Sequence, residues 1–135
     1  MSFTTSRRVE LADTDQEGIV HFARYLVYME TAEHELLRAA GSSVTRDPDG
    51  ERWVWPRVEV SCEYLAPLAF GDTVEIESRV AEMGRSSVTY EHTLLRDGKA
   101  VARGRMKTVC CRHADGGGLR PQPVPEELAR RLGRS

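Results

Sequence analysis

One segment constrains this chain more than any other. From Val20 to Ala40 the apolar residues Phe22, Tyr25, Leu26, Met29, Ala32, Leu36, Leu37 and Ala40 recur at steps of three and four. That spacing gathers them on one face of a helix. Arg24, Glu30, Glu33, Glu35 and Arg38 mostly fall elsewhere around the cylinder. Gly41 follows as a stop signal, because glycine takes a left-handed conformation at little cost. Roughly twenty residues rising about 1.5 Å each give a helix about 30 Å long, the width of a small domain. Such a helix is expected at the centre of the fold.

Almost everything after it alternates with period two. Trp55 to Leu65 puts Val58, Val60, Cys62 and Tyr64 on one face and Arg57, Glu59, Ser61 and Glu63 on the other. Thr73–Val80 alternates in the same way. Ser87–Leu95 and Ala100–Cys111 are rich in β-formers and are joined by Arg96-Asp97-Gly98-Lys99, a hairpin signal. Pro67–Asp72 and Met83–Ser86 supply further turns, and a short strand from Phe3 to Leu11 precedes the helix. The order predicts an α+β fold, with an antiparallel sheet of about five strands wrapped on one long central helix. Ser42–Arg52, with its Asp-Pro-Asp-Gly run, is expected to be a surface loop. The folded domain is expected over 1–113. Residues 114–135 are expected to form a flexible Gly/Pro-rich link and a short C-terminal helix, Glu126–Leu132.

A chain of 135 residues holds one core. Nineteen basic against 21 acidic side chains leave a net charge of −2, which argues against nucleic acid or an anionic membrane as partner. No apolar run approaches the roughly 18 residues of a membrane helix, and the first residues lack the apolar stretch of a signal peptide. The expected location is the cytoplasm. Cys62, Cys110 and Cys111 fit that reading as reduced thiols, since adjacent cysteines bridge poorly and three cannot pair fully. No cysteine or histidine spacing suggests zinc.

The densest chemistry lies in Asp13-Thr14-Asp15-Gln16-Glu17-Gly18-Ile19-Val20-His21-Phe22, between the first strand and the helix. A carboxylate beside the exposed N–H groups of a helix start has the two parts needed to attack an acyl group. One activates or is the nucleophile, and the other stabilises the oxyanion. An aspartate there also serves as an ordinary helix cap, worth about 1 kcal/mol. The run begins like a calcium loop, but its twelfth position is Arg24 instead of a bidentate glutamate. Magnesium on Asp13 and Asp15 would lack the usual phosphate-gripping loop, and no GxSxG elbow or glycine-rich phosphate loop is present. Of the histidines, His34 and His92 fall where packing or surface roles are usual; His21 lies beside the acids at the helix start.

The run from Asp13 to Glu30 resembles the signature of the 4-hydroxybenzoyl-CoA thioesterase family of hotdog-fold proteins. Val58–Asp72 and Met83–Ser87 are similar to the strand and turns that follow it there, so the likeness spans roughly residues 5–112. The resemblance implies hydrolysis of an acyl-CoA thioester to free acid and CoA, without metal or redox cofactor. Asp15 matches the family's catalytic carboxylate, as nucleophile or as general base for a water. Gly18 would leave room for the acyl group, and the N–H of Phe22 would polarise the carbonyl. Val20, His21 and Tyr25 would line the acyl pocket, and Arg85 with Ser86 and Ser87 would meet CoA. Arg103, Arg105 and Lys107 form a basic stripe that reads equally as a solvated sheet face. The family also implies a homodimer or homotetramer with sites between subunits. A hydratase or dehydratase, or a non-catalytic acyl-CoA binding module on the same scaffold, are the alternatives.

Overall fold

The computed structural model describes residues 1–42 and 52–133. The loop expected over Ser42–Arg52 falls largely on 43–51, outside the described residues. Strand β1 (Ser2–Arg8) and a 3-10 turn (Leu11–Asp13) lead into helix α1 (Phe22–Ala39). Strands β2 (Arg57–Tyr64), β3 (Thr73–Met83), β4 (Ser87–Arg96) and β5 (Lys99–Val109) follow. They form one sheet in the order β1-β3-β4-β5-β2, with every neighbouring pair antiparallel. The order leaves β1 and β2 as the two edges.

Helix α1 has 18 residues and begins at Phe22, not at Val20. Val20 N–H donates to Leu68 O at 2.8 Å and Thr14 bridges Val20, so the chain there is extended. Its far end is closed as glycine predicts. Gly41 has φ +83°, its N–H reaches Arg38 O, and Ser42 N–H reaches Leu37 O. The Asp97-Gly98 turn has φ +52° and +77°, the left-handed pair that matches the twist of a two-residue hairpin.

The helix packs on one sheet face through Tyr25, Tyr28, Met29, Ala32, Leu36 and Leu37, all buried. It approaches β5 closely at Gly104, where a Cβ would collide with Met29 Sδ. Period-two counting misplaces one residue of β2. The register slips between Arg57 and Glu59, and this bulge sets Arg57 opposite Thr108. Arg57 therefore turns to the helix side and pairs with buried Glu33, whereas Glu59, Ser61 and Glu63 stay on the outer face as expected. The first part of the apolar side of β2 is left open: Val58 is 53% and Val60 46% exposed.

The stretch expected to be a plain link contains a strand pair. Cys111–His113 (β6) pairs with Leu119–Pro121 (β7), and Gly116, Gly117 and Gly118 all turn through positive φ between them. Helix α2 (Glu126–Leu132) buries Leu128 and Leu132 against Leu36, Leu37, Ala40, Tyr90 and Cys110. Arg131 Nη1 donates to Ala40 O at 3.0 Å, and the Met1 ammonium donates to Leu132 O at 2.7 Å. None of Cys62, Cys110 and Cys111 is in a disulfide. No described helix is long and apolar enough to cross a membrane.

Candidate active site

The connection from the 3-10 turn to α1 is a tight loop. Asp15 N–H donates to Ile19 O at 2.9 Å and Gly18 N–H to Asp15 O at 3.1 Å. Gly18 has φ +82°, and nothing lies within 4 Å of where its Cβ would be. Backbone conformation, not crowding within the chain, is therefore what calls for glycine there. The side chain of Asp15 is half-buried, and its Oδ1 accepts from Glu17 N–H at 2.8 Å, an Asx-type turn. Its Oδ2 has no partner among the described residues.

The helix cap is His21, not an aspartate. His21 Nδ1 accepts from Ala23 N–H at 3.2 Å, which places its proton on Nε2, and the ring stacks on Phe22 at 4.6 Å. Phe22 N–H, the first of the helix, finds no acceptor among the described residues. Tyr64 Oη, from the end of β2, donates to Phe22 O at 2.9 Å, and its ring meets Tyr25 edge-on at 5.0 Å. Burial and the neighbouring Cys62 push the Tyr64 hydroxyl up to about 12, so it stays a donor. Apolar side chains are exposed around this helix start: Phe22, whose carbonyl Tyr64 reaches, is 65% exposed, and Phe70, next to the Ala69 that bridges Ile19, is 63% exposed.

Asp13 is enclosed, with an exposure of 1%. Glu10 N–H, Tyr28 Oη–H and Arg24 all donate to its carboxylate. Burial alone would raise this carboxyl; the three donors outweigh it and hold Asp13 below the usual carboxylate range. Its oxygens face a guanidinium, which opposes a cation shared with Asp15.

The chain matches the family model of the thioesterase-like superfamily over residues 9–132. It belongs to that superfamily. It is 30% identical over 134 residues to a 1,4-dihydroxy-2-naphthoyl-CoA hydrolase of Nostoc punctiforme, covering 98% of this chain and 87% of the relative. It is 25% identical over 126 residues to an acyl-CoA thioesterase of Haemophilus influenzae, covering 93% and 90%. A solved 4-hydroxybenzoyl CoA thioesterase, an Asp-to-Asn variant complexed with 4-hydroxybenzoyl CoA, superposes with a TM-score of 0.88. It is 25% identical and covers 98% of this chain and 99% of its own. The sheet wrapped on α1 is thus the hotdog fold that the resemblance implies.

In this thioesterase-like chain the expected site residues separate into two groups. Asp15, Gly18, His21 and Phe22 come together at the start of α1. Val20 and Tyr25 are there too, but their side chains are buried in the core and not on the surface of that group. Arg85, Ser86 and Ser87 lie at the β3–β4 turn, the opposite end of the sheet. Strand β3 runs from Thr73, beside the Asp72 that receives Val9 N–H, to Met83 next to that turn. Its ten residue steps at about 3.3 Å span roughly 33 Å. Within one chain the two groups do not meet.

The basic stripe is interlaced with acids. Arg105 pairs with Glu91 at 2.5 Å and Glu82 at 2.9 Å, Glu91 also binds Arg79, and Arg103 lies 4.0 Å from Glu63. Two arrangements escape the sequence reading. One is the Arg24–Tyr28 grip on Asp13, whose only sequence signal is an arginine and a tyrosine one helical turn apart. The other is the buried Glu33–Arg57 pair beside His92, whose Nδ1 sits 2.7 Å from Ser78 Oγ.

Proposed function

We propose that this superfamily member hydrolyses an acyl-CoA thioester to a free acid and CoA, with Asp15 as its catalytic carboxylate. The observation that carries this reading is the open Oδ2 of Asp15 in the same short loop that ends at the unpaired Phe22 N–H. A thioester carbonyl lodged at the helix start would accept from Phe22 N–H, aided by the positive end of the α1 dipole. Charge developing on that oxygen is then stabilised most in the transition state.

Two steps fit the same geometry. In one, Asp15 Oδ2 attacks the carbonyl carbon, the C–S bond breaks, and the departing CoA thiolate takes a proton from solvent. The resulting aspartyl anhydride is then hydrolysed. In the other, Asp15 takes a proton from a water whose oxygen attacks the carbonyl, the C–S bond breaks, and that proton passes to the thiolate. A single turnover in 18O-water tests the first route, because label in the Asp15 carboxylate arises only when water attacks the aspartyl carbon of the anhydride.

The site belongs between subunits in this reading. Arg85, Ser86 and Ser87 lie past the far end of β3, a strand about 33 Å long, so in this reading they reach the CoA of a site from another copy. The unpaired β2 edge, with exposed Val58 and Val60, is the surface that a second copy covers. A homodimer or homotetramer is the assembly this reading proposes, and the cytoplasm its proposed location.

The test is thiol release from a panel of aromatic, short-chain and long-chain acyl-CoAs, with Asp15→Asn in parallel. Turnover that collapses in the variant while acyl-CoA still binds is the expected result. No turnover on any member, or full turnover by the variant, overturns the reading. Light scattering should give a multiple of the 15.2 kDa chain mass, and a monomer overturns the shared site.

A further inference from the structure

We propose that Asp13 is a positioning residue for the reaction, fixing Asp15 and the start of α1 in register while touching no substrate itself. This rests on the thioesterase reading of the loop.

Capping a 3-10 turn takes one hydrogen bond to one oxygen. Asp13 instead accepts from four donor atoms: Glu10 N at 2.9 Å and Tyr28 Oη at 2.7 Å on Oδ2, and Arg24 Nε at 2.9 Å and Nη2 at 2.7 Å on Oδ1. Its carbonyl oxygen accepts a fifth bond from His21 N–H at 2.9 Å. The residue therefore ties together the turn before the loop, the helix cap and two successive turns of α1. Everything between its carbonyl and His21 is a closed loop, and Asp15 and Gly18 stand on it. From β1 the Arg7 guanidinium lies over the Tyr28 ring, 4.5 Å from its centroid, and so holds the tyrosine that holds Asp13.

Burying a carboxylate is costly unless it is fully hydrogen-bonded. Bonds to a charged acceptor are roughly twice as strong as neutral ones, and they are directional. Both Asp13 oxygens are engaged, so neither is open to a water or an acyl group. What the cage supplies is placement. A reacting group shifted by about 1 Å can lose about a hundredfold in rate.

Tyr28→Phe is the sharpest probe. It keeps the ring under Arg7 and removes one bond to Asp13. Kinetics are measured on whichever acyl-CoA of the panel turns over fastest, about 20 °C below the variant's own melting temperature, with circular dichroism confirming the folded state. The expected result is a kcat about tenfold lower with KM within about twofold. Asp13→Asn should lower kcat further, again at nearly constant KM. If Tyr28→Phe does not fold, Asp13→Asn decides. A merely structural cage predicts the reverse pattern, a lower melting temperature with unchanged kcat, and that outcome overturns the proposal. Asp15→Asn run alongside separates the two ideas. If it keeps full turnover, the catalytic reading has failed. If it is inactive while Tyr28→Phe keeps full kcat, only the positioning role has failed.

Discussion

Arg57 of the edge strand grips Glu33 of the helix through both terminal nitrogens, Nη1 at 3.1 Å and Nη2 at 2.9 Å. The pair joins α1 to β2, whose Val58 and Val60 are exposed. Removing one partner of a buried ion pair typically costs about 3–5 kcal/mol, because the remaining charge is stranded. Arg57→Ala should therefore lose about that much stability at pH 9, where Glu33 is ionised beside Arg57, by urea denaturation. The loss should shrink at pH 5, where Glu33 stays protonated in the fold with or without its partner. A loss below about 1 kcal/mol at pH 9 would show that water, not Arg57, balances the glutamate.

The same cluster gives the folded state opposed pH responses. Burial pushes Glu33 up from 4.5 to about 7, against the pull of Arg57 and with a push from Glu30. The fold thus keeps a proton that the unfolded chain releases. This contribution is complete below about pH 4.5 and disappears as pH rises to about 7. His92 behaves oppositely. Burial, then Arg57, lowers it from 6.5 to about 4, so its contribution is complete above about pH 6.5 and is lost as pH falls to about 4. Between about pH 4.5 and 6.5 the two slopes oppose, each at most about 1.4 kcal/mol per pH unit. Glu33→Gln should leave stability rising with pH across that window, and His92→Gln should leave it falling. Parallel profiles for the two variants would show that neither group titrates as its burial implies.

Met29 and Gly104 give a packing test. A Cβ at position 104 would meet Met29 Sδ and Cε and would also lie 3.3 Å from Ser61 O. Gly104→Ala should cost about 1–3 kcal/mol through overpacking. Met29 can yield but the Ser61 carbonyl cannot, so adding Met29→Ala should cost less than the sum of the single losses. Strict additivity would mean that helix and sheet separate at that point without strain.

The parts of this fold legible from sequence are those governed by local spacing. The face of α1, its Gly41 stop and the Asp97-Gly98 hairpin each depend on residues a few positions apart. The early end of α1 was not legible, because the bond from Val20 to Leu68 crosses 48 positions. Nor was the turn of Arg57 toward the helix, since a bulge at Val58 changes the parity of every residue before it. Within the site, Asp15 stood out through its neighbours in the chain. The cage on Asp13 joins three elements, and the separation of Phe22 from Arg85 appears only when β3, about 33 Å long, is laid along the sheet.

Gly18 offers a direct choice between two reasons for a glycine. If it leaves space for an acyl group, any side chain harms turnover and a larger one harms it more. If the loop needs its φ of +82°, the harm follows conformational preference instead of size. A left-handed alanine costs about 1–2 kcal/mol, whereas asparagine enters that region more readily. Because nothing in the chain lies within 4 Å of the Cβ position, the conformational reason is the one expected to govern stability. Gly18→Asn should therefore melt above Gly18→Ala despite its larger side chain. Turnover should follow the same order, since the loop that carries Asp15 is set by that one dihedral. If asparagine instead melts higher but hydrolyses more slowly than alanine, the acyl group itself occupies the space in front of Gly18.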